Sequence, residues 1–324
     1  MGLAIGVDIG GTKIAVGAVS NDGAVLSRHD VPTPSSDASA LDDAICQAVL
    51  RVAEGAAVDV VGIGAAGWIG LESGMIHFSP HIAWRDYPVA EHVSQRLQVP
   101  VILRNDADAA GWAEYRFGAA RGAKVALCVT VGTGIGGGII IDGELYRGNA
   151  GLAGEIGHMV IRQGGRKCAC GGVGCWETYA SGSALVAQAR KWMKSKPTAS
   201  GRLVELCGDR AGDLTGSMIT RAANEGDALA AELFEWLGRR LGTGLGSLAA
   251  VLDPSVIVVG GGVSDAGELL LSPARASFAN SMTNAPSRPP IVRAELGTAA
   301  GMVGAADLAS RELSGGAQTQ RTPS

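Results

Sequence analysis

Aromatic side chains are scarce in this chain, 4% of 324 residues, and charged ones are few, 18%. A hydrophobic content of 47% nonetheless supplies a core. That balance excludes a disordered chain, which needs high charge and low hydrophobicity. Excess positive charge is also missing. A net charge of −4 gives no general attraction to nucleic acid or to an anionic membrane. No segment offers the roughly 18 consecutive apolar residues of a membrane span. Met1 leads straight into the apolar run Leu3–Ile9, without the basic and apolar regions of a secretory signal. Cys46, Cys128 and Cys207 are scattered in apolar surroundings and read as reduced core thiols. A soluble cytoplasmic protein is expected. The length suffices for two ordinary domains.

The other three cysteines are not scattered. His158, Cys168, Cys170 and Cys175 fall in one short segment, with Gly171, Gly172 and Gly174 among them. Three thiols and an imidazole complete a tetrahedral zinc shell and leave no position for substrate. Glu155 and Glu177 flank the cluster. A closed zinc site between two carboxylates suggests a metal that holds those carboxylates in place. Three ordinary cysteines beside a core histidine is the plainer alternative. The crowding of half the chain's cysteines into eight residues argues against it.

Glycine and threonine mark two further places. Val7-Asp8-Ile9-Gly10-Gly11-Thr12-Lys13-Ile14 resembles Thr130-Val131-Gly132-Thr133-Gly134-Ile135-Gly136: apolar strand, Gly-Thr turn, apolar strand. Two such halves would place both turns on one ligand. Glycine lets backbone N–H groups approach phosphate oxygens, and threonine adds a hydroxyl. Asp8 could hold Mg²⁺ directly or through water. Gly6 to Lys13 is not a P-loop, because its order is Gly-Thr-Lys and a strand follows. Gly132-x-Gly134-x-x-Gly137 also runs into a strand, which rules out a dinucleotide motif. Gly260-Gly261-Gly262 closes a third buried strand. Asn105-Asp106 stands between a strand and a helix, where ligands sit in α/β folds. Asp106 is either a helix N-cap or the base that takes a proton from a hydroxyl attacking a phosphoryl group.

The patterning predicts strands at Leu3–Ile9, Lys13–Ser20, Ala24–Val31, Asp59–Ala65, Val99–Leu103, Val125–Val131, Ile135–Ile141 and Val256–Val259. Helices are expected at Leu41–Glu54, Asp86–Leu97, Ala107–Gly118, Thr178–Ser195, Leu214–Leu252 and Thr298–Arg311, with a polar, mobile tail after that.

Together these segments resemble the ROK family of sugar kinases and repressors. The likeness covers nearly the whole chain, and the histidine–cysteine segment is its most specific part. It is strongest to the actinobacterial glucokinase branch, notably in Trp112-x-Glu114-Tyr115-Arg116-Phe117-Gly118, Trp176-Glu177-x-Tyr179-Ala180-Ser181-Gly182 and Val258-Val259-Gly260-Gly261-Gly262-Val263-Ser264. The resemblance implies an actin-like ATPase fold, ribonuclease H-like, with two α/β domains around a cleft. A small N-terminal domain over residues 1–108 would be completed by a C-terminal helix over 298–312. A large domain over 109–297 would carry the zinc, and 313–324 would be the tail. It implies transfer of phosphate from ATP to a hexose, glucose foremost, at the 6-hydroxyl. Carried over by motif, Asp106 is the base, and Asn105, Glu155, His158 and Glu177 contact the sugar, with Gly67 nearby. Gly10, Gly11, Thr12, Lys13, Gly132, Thr133 and Gly134 hold the ATP phosphates, and Gly261 and Gly262 approach the adenosine. Structural Zn²⁺, Mg²⁺ with ATP, and a homodimer or homotetramer are expected.

The chain departs from the family pattern at three places. Arg104 and Asp108 replace a glutamate and an asparagine around Asn105-Asp106, and His81 replaces an asparagine near the sugar. N-acetylmannosamine kinase and fructokinase are the alternatives within the family, and polyphosphate is an alternative donor. A ROK repressor would need a DNA-binding domain ahead of the first turn, which begins by residue 8. A non-catalytic sugar binder would not need Asp106 and both phosphate turns.

Overall fold

Apolar runs cut by glycine turns give the chain its order of elements. The computed structural model describes residues 2–70, 74–79, 82–208 and 210–319, the last five as backbone only. In chain order come β1 (Leu3–Ile9), β2 (Lys13–Val19), β3 (Val25–Pro32), α1 (Ala38–Ala53), β4 (Val58–Ala65), β5 (Trp68–Ile69), β6 (Ile76–Phe78), β7 (Arg85–Tyr87), α2 (Val89–Leu97), β8 (Val101–Asn105) and α3 (Asp106–Phe117). Then follow β9 (Val125–Val131), β10 (Ile135–Ile141), β11 (Glu144–Leu145), α4 (Glu177–Ala180), α5 (Gly182–Ser195), α6 (Gly201–Leu206), α7 (Gly216–Asn224) and α8 (Ala228–Leu252). The chain closes with β12 (Val256–Gly260), α9 (Glu268–Ser281), β13 (Ile291–Arg293) and α10 (Ala300–Thr319).

The chain divides into two compact units. One comprises Met1–Ala123, Gly137–Gly154 and Thr298–Ser324; the other comprises Lys124–Gly136 and Glu155–Gly297. Two five-stranded sheets share one plan, β3-β2-β1-β4-β8 and β11-β10-β9-β12-β13. In the first, β1 pairs antiparallel with β2 and parallel with β4. In the second, β12 runs parallel to both β9 and β13.

In the first unit, alternation along β1 sends Ile5, Val7 and Ile9 to one face, where they join Leu41, Ile45 and Val49 of α1 in a mainly aliphatic core that also holds Trp84. Gly6 points to the other face, against the Met302 carbonyl of α10, and Gly62 of β4 meets the Ala305 carbonyl. A Cβ at either glycine would overlap that backbone, so these two residues set how closely α10 lies on the sheet. In the second unit the long helix α8 buries Leu233, Phe234, Leu237, Leu241 and Leu245. Trp176 lies fully buried against Gly244 of that helix, with its indole N–H donating to the Arg240 carbonyl at 2.9 Å.

Several expected elements differ in detail. The helix expected from Asp86 begins only at Val89, and Arg85–Tyr87 is a strand. Pro88 disfavours a helical Tyr87, and the Tyr87 hydroxyl donates to the buried Asp42 carboxylate at 2.7 Å. The span Thr178–Ser195 breaks at Ser181, which is extended and caps α5 by accepting from Ala184 N–H. The span Leu214–Leu252 breaks at Gly226, with φ of +90°, and Asp227 caps α8. The last helix runs past Arg311 to Thr319, and Glu312 on that extension pairs with Arg104 of β8. Residues 320–324 of the expected tail lie outside the described residues. The small sheet β5-β6-β7, α9 and β13 were not expected. Pro273 inside α9 reads as a breaker in sequence.

Candidate functional site

Each unit holds one group of the expected site residues. In the first, β1 ends at Ile9 and the chain turns through Gly10-Gly11-Thr12, all exposed, into β2. Gly10 N–H donates to the Lys13 carbonyl at 2.9 Å. Thr33 braces the turn: its N–H donates to the Thr12 carbonyl at 3.1 Å and its hydroxyl to the Gly10 carbonyl at 2.8 Å. The Lys13 ammonium pairs with Asp30 at 2.9 Å. Asp8 precedes the turn. Burial, then the charge of Asp106, pushes its carboxyl up from 3.8 to about 7. Gly301 at the start of α10 leaves room for that carboxylate, since a Cβ there would stand 2.6 Å from Oδ2.

Asn105 ends β8 and caps α3, its side-chain oxygen accepting from Ala107 N–H at 2.8 Å and Asp108 N–H at 3.2 Å. Its amide nitrogen donates to the Gly67 carbonyl at 3.3 Å. The capping position is thus filled by Asn105. Asp106 is the first residue of the helix, and its Oδ1 also accepts from Ala107 N–H, at 3.0 Å. Two departures from the family pattern have a structural place. Arg104 pairs with Glu312, and Asp108, 2% exposed, faces Arg147 Nε at 3.5 Å. Burial and the nearby Arg104 charge push the Arg147 guanidinium pKa down. These substitutions form a charge network within the unit. The third departure, in Pro80-His81, lies outside the described residues.

In the second unit His158, Cys168, Cys170 and Cys175 bring their ligand atoms within 4.8 Å of one another. Two antiparallel bridges, Val160 to Cys175 and Lys167 to Val173, fold the segment back on itself. Cys168 Sγ lies 3.7 Å from His158 Nδ1, and Cys170 Sγ lies 3.8 Å from Cys175 Sγ. Zn–S bonds of about 2.3 Å set tetrahedral corners roughly 3.8 Å apart, so the spacing fits zinc. Burial, then a hydrogen bond from its thiol to Glu177, pushes the Cys168 pKa up. The other imidazole nitrogen, Nε2, faces Glu155 Oε2 at 3.7 Å, and Nδ1 also lies 3.7 Å from Glu177 Oε1. Gly134 makes room for Glu177: a Cβ there would stand 2.6 Å from Oε2.

The second turn is tighter than the first. Gly132 N–H donates to the Gly134 carbonyl at 3.0 Å, and α5 begins beside it, with Gly182 N–H donating to the Gly132 carbonyl at 2.7 Å. Gly261 follows β12 at a φ of +82°, and a Cβ would come within 2.8 Å of the Val131 backbone, so only glycine fits. A cavity of about 640 Å³ opens beside Thr133 and Gly262. Ser183 and Arg190 of α5 and Ser217 and Thr220 of α7 complete its walls. The sequence reading did not single out these four. Only the caps Ser181 and Thr215, each bonded to its helix's N–H groups, could have pointed to those helix starts.

Two sheets of the same strand order, each opening on a Gly-Thr turn, define the actin-like ATPase fold. The sequence profile of the ROK family matches residues 4–312, and the chain belongs to that family. It is 45% identical over 311 residues to the glucokinase of Streptomyces coelicolor, covering 95% of this chain and 98% of that protein. Among solved structures it is similar to a ROK family glucokinase from Streptomyces griseus in complex with glucose and AMPPNP. There the TM-score is 0.90 at 47% identity, over 96% of this chain and all of that one. A ROK hexokinase from Thermus thermophilus is 34% identical with a TM-score of 0.80, over 97% of this chain and 99% of that one. No helix among the described residues is long and apolar enough to cross a membrane.

Proposed function

We propose that this protein is an ATP-dependent hexose kinase whose substrate is glucose, phosphorylated at the 6-hydroxyl. The observation that carries the chemistry is the division of labour at the end of β8. Asn105 takes the capping role, so Asp106 is assigned the general base at a strand end. Likeness to glucokinases along almost the full chain supports glucose as the acceptor.

Asp8 is assigned to Mg²⁺ carried with ATP, whose charge would hold that carboxylate ionised against burial. The turns Gly10–Lys13 and Gly132–Gly134 are assigned to the phosphates, and Gly261, Gly262 and the adjoining cavity to the adenosine. Gly67, Asn105, Glu155, His158 and Glu177 are assigned to sugar hydroxyls, which carboxylates and amides can hold. Zinc would be held by His158 Nδ1, Cys168, Cys170 and Cys175 and supply rigidity, since four protein ligands leave no site for water. A zinc-bound Cys168 thiolate has no proton to give Glu177, so that carboxylate becomes available to a hydroxyl. His158 would ligate through one nitrogen and offer the other to the sugar.

A coupled ADP-release assay across a panel of hexoses, with kcat/KM for each, tests this reading. Glucose is expected to rank first with ATP as donor. A higher kcat/KM for N-acetylmannosamine or fructose would overturn the substrate, and no ADP release with any hexose would overturn the kinase.

A further inference from the structure

Behind the zinc segment, within the second unit, lies a basic concavity that the kinase reading does not use. Arg162 and Arg166 come from the chain between the ligands His158 and Cys168, and Arg239 and Arg240 from α8. Two adjoining hollows, of about 700 and 290 Å³, share Arg162, Tyr179 and Arg240 in their walls. The acid lining them is Glu235, and it is already paired with Arg239. Arg162, Arg166 and Arg240 make no ion pair with a carboxylate among the described residues. Burial, then the charges of Arg166, Arg162 and Arg239, lowers the Arg240 guanidinium pKa.

Two of the guanidinium groups are also held in place. Arg240 stacks on the Trp236 ring at 4.2 Å and donates to the Trp236 carbonyl at 2.8 Å. Arg166 lies over Tyr179 at 5.0 Å, donating to the Thr178 carbonyl at 2.8 Å and to Gln188 Oε1 at 3.1 Å. Those bonds leave Arg162 and the outer edge of Arg240 without a protein acceptor among the described residues. Fixed guanidinium forks on aromatic faces suit phosphate oxygens. Gathering like charges in a concave site is costly unless an anion offsets them, and the larger hollow has the volume of a small-molecule pocket.

We propose that this concavity binds a small phosphate-bearing anion between Arg162 and Arg240. Its position gives binding a route to the kinase site. Arg166 holds the Thr178 carbonyl one residue from Glu177, so an anion that orders this segment also steadies the carboxylate assigned to the sugar. That regulatory consequence rests on the proposed function; the binding itself does not.

The test is isothermal titration of the zinc-loaded full chain, saturated with AMPPNP and Mg²⁺, with pyrophosphate and separately with fructose 1,6-bisphosphate. One site per chain is expected for at least one of them. Heat from pyrophosphate alone points to an inorganic ligand, heat from the sugar bisphosphate alone to a phosphorylated metabolite, and either supports the site. Arg162→Ala and Arg240→Gln should each weaken binding roughly ten- to a hundredfold, the loss of one charge-assisted contact. Thermal midpoint and AMPPNP affinity should stay unchanged. No heat with either anion would overturn the proposal. So would equal affinity in wild type and both variants, which would place the anion elsewhere. Sedimentation of the same samples covers one more case: variants that change oligomer size without any anion binding would make the patch a contact between copies and sink the idea.

Discussion

At the scale of single residues, the Asn105-Asp106 pair separates structure from chemistry. Asn105 turns its oxygen to the helix, so replacing Asp106 leaves the cap in place. Asp106→Asn should therefore fold and bind glucose while losing turnover by about a hundred- to ten-thousandfold, as removal of a general base does. Steady-state kinetics paired with glucose titration checks this; turnover within a few-fold of wild type would remove Asp106 from the role. Asp8 gives a pH signature. Its folded-state pKa is raised from 3.8 to about 7, so between those values the folded chain keeps a proton that the unfolded chain releases. Stability from this group thus falls as pH rises across the window. Asp8→Asn should raise the melting temperature of the ligand-free protein at pH 8, change it little near pH 4, and impair ATP use. A thermal-shift series over pH reads the sign directly. The sequence could place Asp106 at a strand end but could not tell which of two adjacent capping-type residues held the helix, since both Asn and Asp cap well.

Among the elements, those bounded by glycine turns were legible and those bounded by polar residues inside a periodic stretch were not. The ranges of β1, β9 and β10 follow the apolar runs, because Gly10-Gly11 and Gly132-x-Gly134 cut them sharply. Ser181 and Asp227 sit in stretches whose apolar periodicity continues on both sides, and only their side-chain caps reveal that two helices meet there. The cavity beside Thr133 and Gly262 stayed hidden for a similar reason. Serine, threonine and glycine at the starts of α5 and α7 carry no signal of their own until the fold gathers them. The histidine–cysteine segment was the opposite case: its four candidate ligands stood out by type and spacing, and their ligand atoms do come within 4.8 Å of one another. Cys170→Ala should abolish the metal, with zinc content read by elemental analysis. Glucose affinity and turnover should suffer more than ATP affinity. Normal glucose phosphorylation by the zinc-free variant would leave the metal without a function. Gly134→Ala probes the same carboxylate from the turn: its methyl displaces Glu177 and should raise KM for glucose.

For the whole molecule, the two units invite separate perturbation. The Arg104–Glu312 pair belongs to the first unit and the histidine–cysteine segment to the second. Glu312→Gln removes a partly exposed pair worth about 1 kcal/mol and leaves Arg104 beside Arg147. In differential scanning calorimetry it should lower one transition by roughly 2–4 °C, while chelation of zinc lowers the other. A single transition shifted alike by both treatments would mean that the units unfold together.

The placement of α10 bears on how the chain comes into being. The sheet face that carries Gly6 and Gly62 precedes the second unit in the chain, and the helix that covers it follows that unit. Most of the second unit, from Glu155 to Gly297, is contiguous and is complete before α10 leaves the ribosome. The first unit thus stays incomplete until the second has been made, and during that interval its uncovered glycine-lined face is the surface a chaperone would meet.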